Sequence, residues 1–225
     1  MMNNKYFFIF LFLIIMIKSI DYTPGIDVSK YQAEIEWDKV APHVKFVIIR
    51  AGYGINGTDE YFERNYKELK RLNINTGVYW YAKAVTIDEA KQEAEACMAK
   101  LKDKKFEYPI YYDIEHQPIF QSGLTNEIAT TFCTILEENN YYCGIYSSAY
   151  PFRDYFNDEV KSKYAIWVAQ YNDKIKQPMF DGVWGIWQYS SKVVIEGIKG
   201  VGVVDMNRGN INYEPIIKNN HKNGY

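Results

Sequence analysis

Short β-forming runs alternate with helical segments along most of this chain, and that alternation restricts it to a parallel sheet covered by helices. Residues 25–29 (GIDVS) form the first β-like run and residues 46–51 (FVIIRA) the second. Helical periodicity follows over about 60–72. Residues 76–82 (TGVYWYA) make a third strand. Thr86 and Glu89 then form a capping-box pattern ahead of an apolar stripe of Ile87, Ala90, Ala94, Cys97, Met98 and Leu101. Residues 108–115 read as a fourth strand, 125–139 as a helix and 142–147 as a fifth strand. Beyond this point the helices shorten. Residues 165–170 (AIWVAQ), 183–189 (VWGIWQY) and 201–206 (VGVVDM) are strand-like, with a short helix near 150–163 and a loop or hairpin over 190–200. Eight strand candidates suffice for a closed barrel. The polar residues 218–225 read as a frayed tail.

The start of the chain is of another kind. Lys5 precedes an apolar run over residues 6–17, and Lys18-Ser19 follows. Its 12 residues fall short of the roughly 20 that cross a bilayer. A basic start and a short apolar core describe a secretory signal, ending near residue 19. Residues 20–217 are then one domain, large enough to bury a core without disulfides. Cys97, Cys133 and Cys143 allow one intrachain bridge at most; Cys133 to either neighbour and three free thiols are both open. Export permits a bridge without demanding one.

The formal charge is −2, and loss of the signal's two lysines takes it near −4. No basic stripe is present, which argues against a nucleic-acid partner. Twenty-one tyrosines and five tryptophans are many for this length. Their flat apolar faces and polar tips suit sugar rings, but they suit core packing equally.

In parallel barrels the functional residues sit at the carboxyl ends of strands. Four acids fall at the ends of strand candidates: Asp27 on the first, Asp113 and Glu115 on the fourth, Asp205 on the last. Alternation puts Tyr111, Asp113 and Glu115 on one face of the fourth strand, and Ile110, Tyr112 and Ile114 on an apolar face against the helices. The two carboxylates start about 7 Å apart at their backbones. Like charges in a partly desolvated pocket push one pKa upward and leave the other ionised. A neutral acid beside an anion is what glycosidic cleavage needs. A solvated D-x-E edge is the bland alternative, and isolated acids on two further apolar strands weigh against it. A hard-cation site using these acids and His116 is a rival, although His116 points away from Glu115 if the strand continues. No G-x-S-x-G elbow supports serine chemistry.

These segments together resemble one family. GIDVSKYQ at 25–32, IIRAGYG at 48–54, GVYWYA at 77–82, YDIE at 112–115, IWVA at 166–169, IWQYS at 186–190 and VDMN at 204–207 look, in that order, like glycoside hydrolase family 25, the Chalaropsis-type lysozymes. The resemblance runs over about residues 25–213. It implies an irregular TIM-like α/β barrel, (β/α)5 followed by three further strands. It implies an N-acetylmuramidase that cuts β-1,4 bonds between N-acetylmuramic acid and N-acetylglucosamine in peptidoglycan, without a cofactor or metal. Glu115 would be the general acid/base. Asp113 would steer the substrate's 2-acetamido group, and Asp27 and Asp205 would complete the acidic floor.

Strand alternation adds Tyr79 and Tyr81, the ends of other strands add Tyr146, Trp167 and Gln188, and the loop after the second strand adds Tyr53 as expected sugar-binding residues, with core packing the alternative for each aromatic. Arg50 reads as a structural partner of one of the acids. Such an enzyme would act as a monomer, secreted or held in secretory or lysosome-like vesicles. A lectin on an inactive barrel and a chitinase-like hydrolase are the competing functions. Retention of all four acids speaks against the first. Pro109-Ile-Tyr-Tyr, standing where a chitinase-type run would carry further acids, speaks against the second.

Overall fold

The computed structural model describes residues 22–172 and 174–225. The expected export signal lies outside the described residues. The chain runs β1 (Thr23–Val28), α1 (Trp37–Val40), β2 (Phe46–Tyr53), β3 (Gly57–Thr58), α2 (Phe62–Arg71), β4 (Asn75–Tyr81), α3 (Ile87–Leu101), β5 (Ile110–Asp113), α4 (Gln117–Gln121), α5 (Thr125–Glu138), β6 (Cys143–Ser148), α6 (Ala149–Asp154), α7 (Asp158–Lys163), β7 (Ala165–Ala169), β8 (Ile186–Val193), β9 (Val204–Gly209) and α8 (Tyr213–Asn219).

Eight strands close into a barrel, and the short β3 hairpins onto β2. Parallel pairing runs β1-β2-β4-β5-β6-β7-β8. β9 closes the ring antiparallel to both β8 and β1. This is the irregular TIM-like barrel that the motifs implied. The helices thin out after β6, as the fading periodicity suggested.

Each strand separates two apolar layers. On β5, Ile110 and Tyr112 face the helices: the Tyr112 ring stacks on Phe132 of α5 with centroids 3.8 Å apart. Tyr111 faces the barrel interior with Phe46, Ile48, Tyr108, Tyr146, Trp167 and Ile186. Gly144 of β6 leaves the space that the Tyr111 ring fills; a Cβ there would lie 2.5 Å from Tyr111 Cε1. Much of the tyrosine and tryptophan surplus is therefore core: Tyr108, Tyr111, Tyr112 and Tyr213 are fully buried, as are Trp37, Trp80, Trp167 and Trp187. The capping box at α3 forms both ways, Glu89 N–H to Thr86 Oγ1 and Thr86 N–H to Glu89 Oε2. Cys97, Cys133 and Cys143 are buried free thiols, with the Cys133 and Cys143 sulfurs 2.8 Å apart.

Several sequence expectations change. β8 begins at Ile186, not Val183, and runs on to Val193. The fourth strand stops at Asp113, so Glu115 and His116 lie in the turn before α4. The last strand begins at Val204, not Val201. Tyr213–Asn219 is a helix that the pattern did not announce. Residues 218–225 do not fray. Asn223 is fully buried, accepts the Tyr142 N–H (2.7 Å) and donates to the Tyr108 carbonyl (3.0 Å). Buried backbone groups need partners, and the Asn223 side chain supplies one to each of these two.

Candidate active site

The acids meet at the mouth where the parallel strands end. Asp27 stands near the end of β1 and Asp113 ends β5. Glu115 follows two residues later. Asp205 reaches the same mouth by the opposite route. It is the second residue of β9, and because β9 runs antiparallel its beginning lies beside the end of β1. The expectation that Asp205 closes a strand is thus corrected, while its place in the cleft is kept.

The four acids differ in environment. Asp27 is buried, and its Oδ2 accepts from Gln188 Nε2 (2.8 Å) and Asn207 Nδ2 (2.7 Å). Loss of solvation and the Asp205 charge push its pKa well up, against the pull of those two hydrogen bonds. Asp113 is buried too, and its Oδ1 has no partner among the described residues. Desolvation, then Glu115 and then Asp27 push its pKa well up, with only Arg50 opposing. Glu115 opens to the cleft. Its pKa is still raised, first by the protein that displaces water around it and then by Asp205. Asp205 is raised to about 6 by desolvation. Four carboxyls in one mouth cannot all ionise cheaply, so the cluster retains protons toward neutral pH.

A cleft crosses this floor. One arm, of about 300 Å³, is lined by Tyr146, Trp167, Tyr171, Gln188 and Ser191. The other, of about 660 Å³, is lined by Lys30, Tyr31, Arg50, Tyr53, Lys83 and His116. Both arms share Asp27, Tyr79, Asp113, Glu115 and Asp205. Tyr81 lines the larger arm.

The anticipated binding residues divide between surface and support. Tyr53, Tyr79 and Tyr81 are partly exposed. Trp167 is almost fully buried beneath the floor, its Nε1–H donating to Asn207 Oδ1 (2.8 Å). Gln188 is the hub of the smaller arm: its Oε1 accepts from Tyr146 (2.8 Å) and Tyr171 (2.6 Å), while its amide donates to Asp27. The buried amide thus finds the partners that its apolar strand could not supply.

Arg50 does make a structural ion pair, but with Asp59 (Nε to Oδ2, 2.8 Å), not with one of the four acids. His116 lines the larger arm beside Tyr81, contrary to the opposite-face expectation, because the strand ends before it. Sequence reasoning assigned no part to Asn207, Tyr171 or Lys83. Asn207 was within reach, since it sits two residues from Asp205 and shares its inward face. No group of His, Cys, Asp and Glu side chains suited to a metal ion occurs among the described residues.

The family model for glycosyl hydrolases family 25 matches residues 26–198. The chain belongs to glycosyl hydrolases family 25. The matched span contains Asp27, Asp113 and Glu115, and Asp205 lies just beyond it. Among curated relatives, the uncharacterized protein YegX of Escherichia coli K12 is 26% identical over 188 residues, which covers 78% of this chain and 66% of that protein. Among solved structures, the bacterial lysozyme from Streptomyces coelicolor superposes with a TM-score of 0.77 at 24% identity, over 89% of this chain and 99% of that one. The modular autolysin LytC from Streptococcus pneumoniae, solved in complex with a synthetic peptidoglycan ligand, gives a TM-score of 0.71 at 27% identity, over 83% of this chain and 46% of that one.

Proposed function

We propose that this family 25 chain is an N-acetylmuramidase that hydrolyses the β-1,4 bond between N-acetylmuramic acid and N-acetylglucosamine in bacterial peptidoglycan. The observation that carries the reading is the pairing of Glu115 with Asp113. Glu115 is open to the cleft with a raised pKa, and Asp113 is buried beside it with an unpartnered oxygen. LytC, a structural relative crystallised with a peptidoglycan ligand, supports the substrate class.

In this reading Glu115 holds the proton and delivers it to the glycosidic oxygen as the bond breaks. Asp113 Oδ1 accepts the N–H of the 2-acetamido group. That contact aims the acetamido carbonyl oxygen at the anomeric carbon, where it displaces the leaving sugar and closes an oxazolinium ring. Water then opens the ring and gives a proton back to Glu115. The nucleophile belongs to the substrate, so the carboxylate-spacing rule for direct attack does not govern this site. The Asp205 charge raises the pKa of Glu115 and so helps it keep its proton, while Gln188 and Asn207 fix Asp27 in the floor. Tyr53, Tyr79, Tyr81 and Tyr171 face the sugar, while Tyr146, Trp167 and Gln188 hold the floor beneath it.

No helix among the described residues is long and apolar enough to cross a membrane. The enzyme reading places the chain outside the cell or in secretory vesicles, with the apolar run at 6–17 as its export signal.

The test is digestion of purified peptidoglycan from pH 4 to 8, with new reducing ends identified by mass spectrometry. Muramic-acid ends are expected. Cleavage of chitin oligomers alone, or binding without cleavage, would overturn the reading. Glu115→Gln should lose about 10²–10⁴-fold in turnover while still binding the glycan. Near-wild-type turnover in that variant would remove Glu115 from its role.

A further inference from the structure

The larger arm of the cleft carries charges of both signs. Its lining joins the acids of the floor to three cations, Lys30, Arg50 and Lys83. Arg50 spends its Nε on Asp59, and its buried Nη2 has no partner. Neither Lys30 nor Lys83 has a carboxylate partner among the described residues. The arm therefore presents positive charge that the protein itself leaves largely unmatched.

The two lysines are placed by the fold. The Lys83 N–H donates to Glu93 Oε1 (3.0 Å), and Glu93 is buried on α3. Its aliphatic stem lies against Gly54, where a Cβ would come within 3.3 Å of Lys83 Cδ, and Gly54 has a φ of +56° that a side chain would strain. Its ammonium sits 4.9 Å from the centre of the Tyr53 ring. The Lys30 N–H donates to Asp59 Oδ2 (2.9 Å), the oxygen that also takes Arg50 Nε. Lys30 opens a short 3-10 turn that Ser29 and Gln32 cap reciprocally, and its ammonium lies 5.9 Å from the Tyr31 ring centre. Two buried carboxylates thus hold two lysine backbones, and the cations stand beside aromatic faces on either side of Arg50.

A neutral chitin-like sugar offers the cations of this arm no charge to meet. A muramyl sugar carries a lactyl ether that ends either in a carboxylate or in a peptide that itself bears carboxylates. We propose that Lys30 and Lys83 form an anion-reading subsite that takes a carboxylate borne by the muramyl substituent, and so select muramyl glycans over unsubstituted ones. The inference rests on the muramidase reading and deepens it. Lysine suits the task because it meets a mobile carboxylate as a point charge, without the fixed two-pronged geometry of arginine.

The test compares two soluble glycans: a muramyl tetrasaccharide with free lactyl carboxylates, and the same tetrasaccharide with those carboxylates reduced to alcohols. Wild type should cleave the carboxylate form with a kcat/KM about tenfold higher, as two partly exposed charge contacts allow. In the double variant K30Q/K83Q that ratio should collapse toward one, and K30R/K83R, which keeps the charge but not the lysine geometry, should restore part of it. Peptide-bearing glycan strands, measured alongside, separate the two carboxylate sources. Collapse on the peptide-free tetrasaccharide assigns the lactyl carboxylate; collapse only on peptide-bearing strands assigns the stem. A ratio that is the same in wild type and K30Q/K83Q on both substrates would overturn the inference. Failure of wild type to cleave any muramyl substrate would instead bring down the muramidase reading.

Discussion

Asp27 and Asp205 stand directly opposite each other across the antiparallel pair β1 and β9. Two carboxyls in register, each short of water, make each other harder to ionise. The hydrogen bonds from Gln188 and Asn207 go to Asp27 alone, yet burial and the Asp205 charge outweigh them and hold its pKa well up. Asp205, raised to about 6, is the one that titrates in the working range.

This gives Asp205→Asn a definite sign. The Asp205 charge raises the pKa of both Asp27 and Glu115. Removing it lowers both. A general acid must hold its proton, so the alkaline limb of the kcat/KM profile should move to lower pH. Activity at pH 7 should fall several-fold relative to activity at pH 5. A pH profile of the purified variant checks this, and an alkaline limb that stays put or moves upward contradicts it.

Gln188→Leu should damage the floor without touching the proton donor. Tyr146 and Asp27, both buried, would each lose a hydrogen-bond partner. Leaving such groups unpaired costs about 2 kcal/mol. At this chain length that lowers Tm by roughly 4–8 °C. Asp27 should also move further up in pKa, since one of the two bonds that hold it down is gone. Calorimetry reads the first effect; a carboxyl titration followed by NMR reads the second.

Stability should fall as pH rises through 6. Glu93 is buried on α3 and raised from 4.5 to about 6, by desolvation first. A folded pKa above the unfolded one contributes stability that is fully present below the unfolded pKa and lost as pH rises through the folded one. For Glu93 this is about 2 kcal/mol between pH 4 and 7. Asp205 adds in the same direction, by less because it is partly exposed. The lowered acids Asp38 and Glu214 titrate below this window and do not offset it. Tm should therefore be higher at pH 5 than at pH 7.5, and Glu93→Gln should flatten the slope. A Tm that rises with pH across this window would contradict the assignment.

Asn223→Ala should destabilise by about 2–3 kcal/mol, because it strips partners from the Tyr142 N–H and the Tyr108 carbonyl. Those groups lie in the segments leading into β6 and β5. A surface-like cost, within about 0.5 kcal/mol in urea unfolding, would show that the tail carries no weight.

Much of the barrel was legible because periodicity and caps are local. The alternating faces of β5, the Thr86–Glu89 box and the acids on apolar strands all follow from neighbours in sequence. Boundaries were less legible where a tertiary partner sets them. β5 ends at Asp113 because the chain turns there into α4, and this carries His116 into the cleft. The tail's polar residues looked unfastened because their partners, Tyr108 and Tyr142, are some 80 to 115 residues away.

The alternation that requires a helix-covered barrel, the four acids and the order of motifs that marks the family can all be read from the residues in line. How those acids are shared out depends on contacts between distant strands. Folding made β9 antiparallel, so that Asp205 enters the mouth at the beginning of its strand. It paired Arg50 with Asp59, sank Trp167 beneath the floor, and set Lys30 and Lys83 in the lining of one arm. The reason is that charge and hydrogen bonding act through space. A strand pattern says which face a side chain takes, while direction, register and the groups on neighbouring strands determine what that face meets.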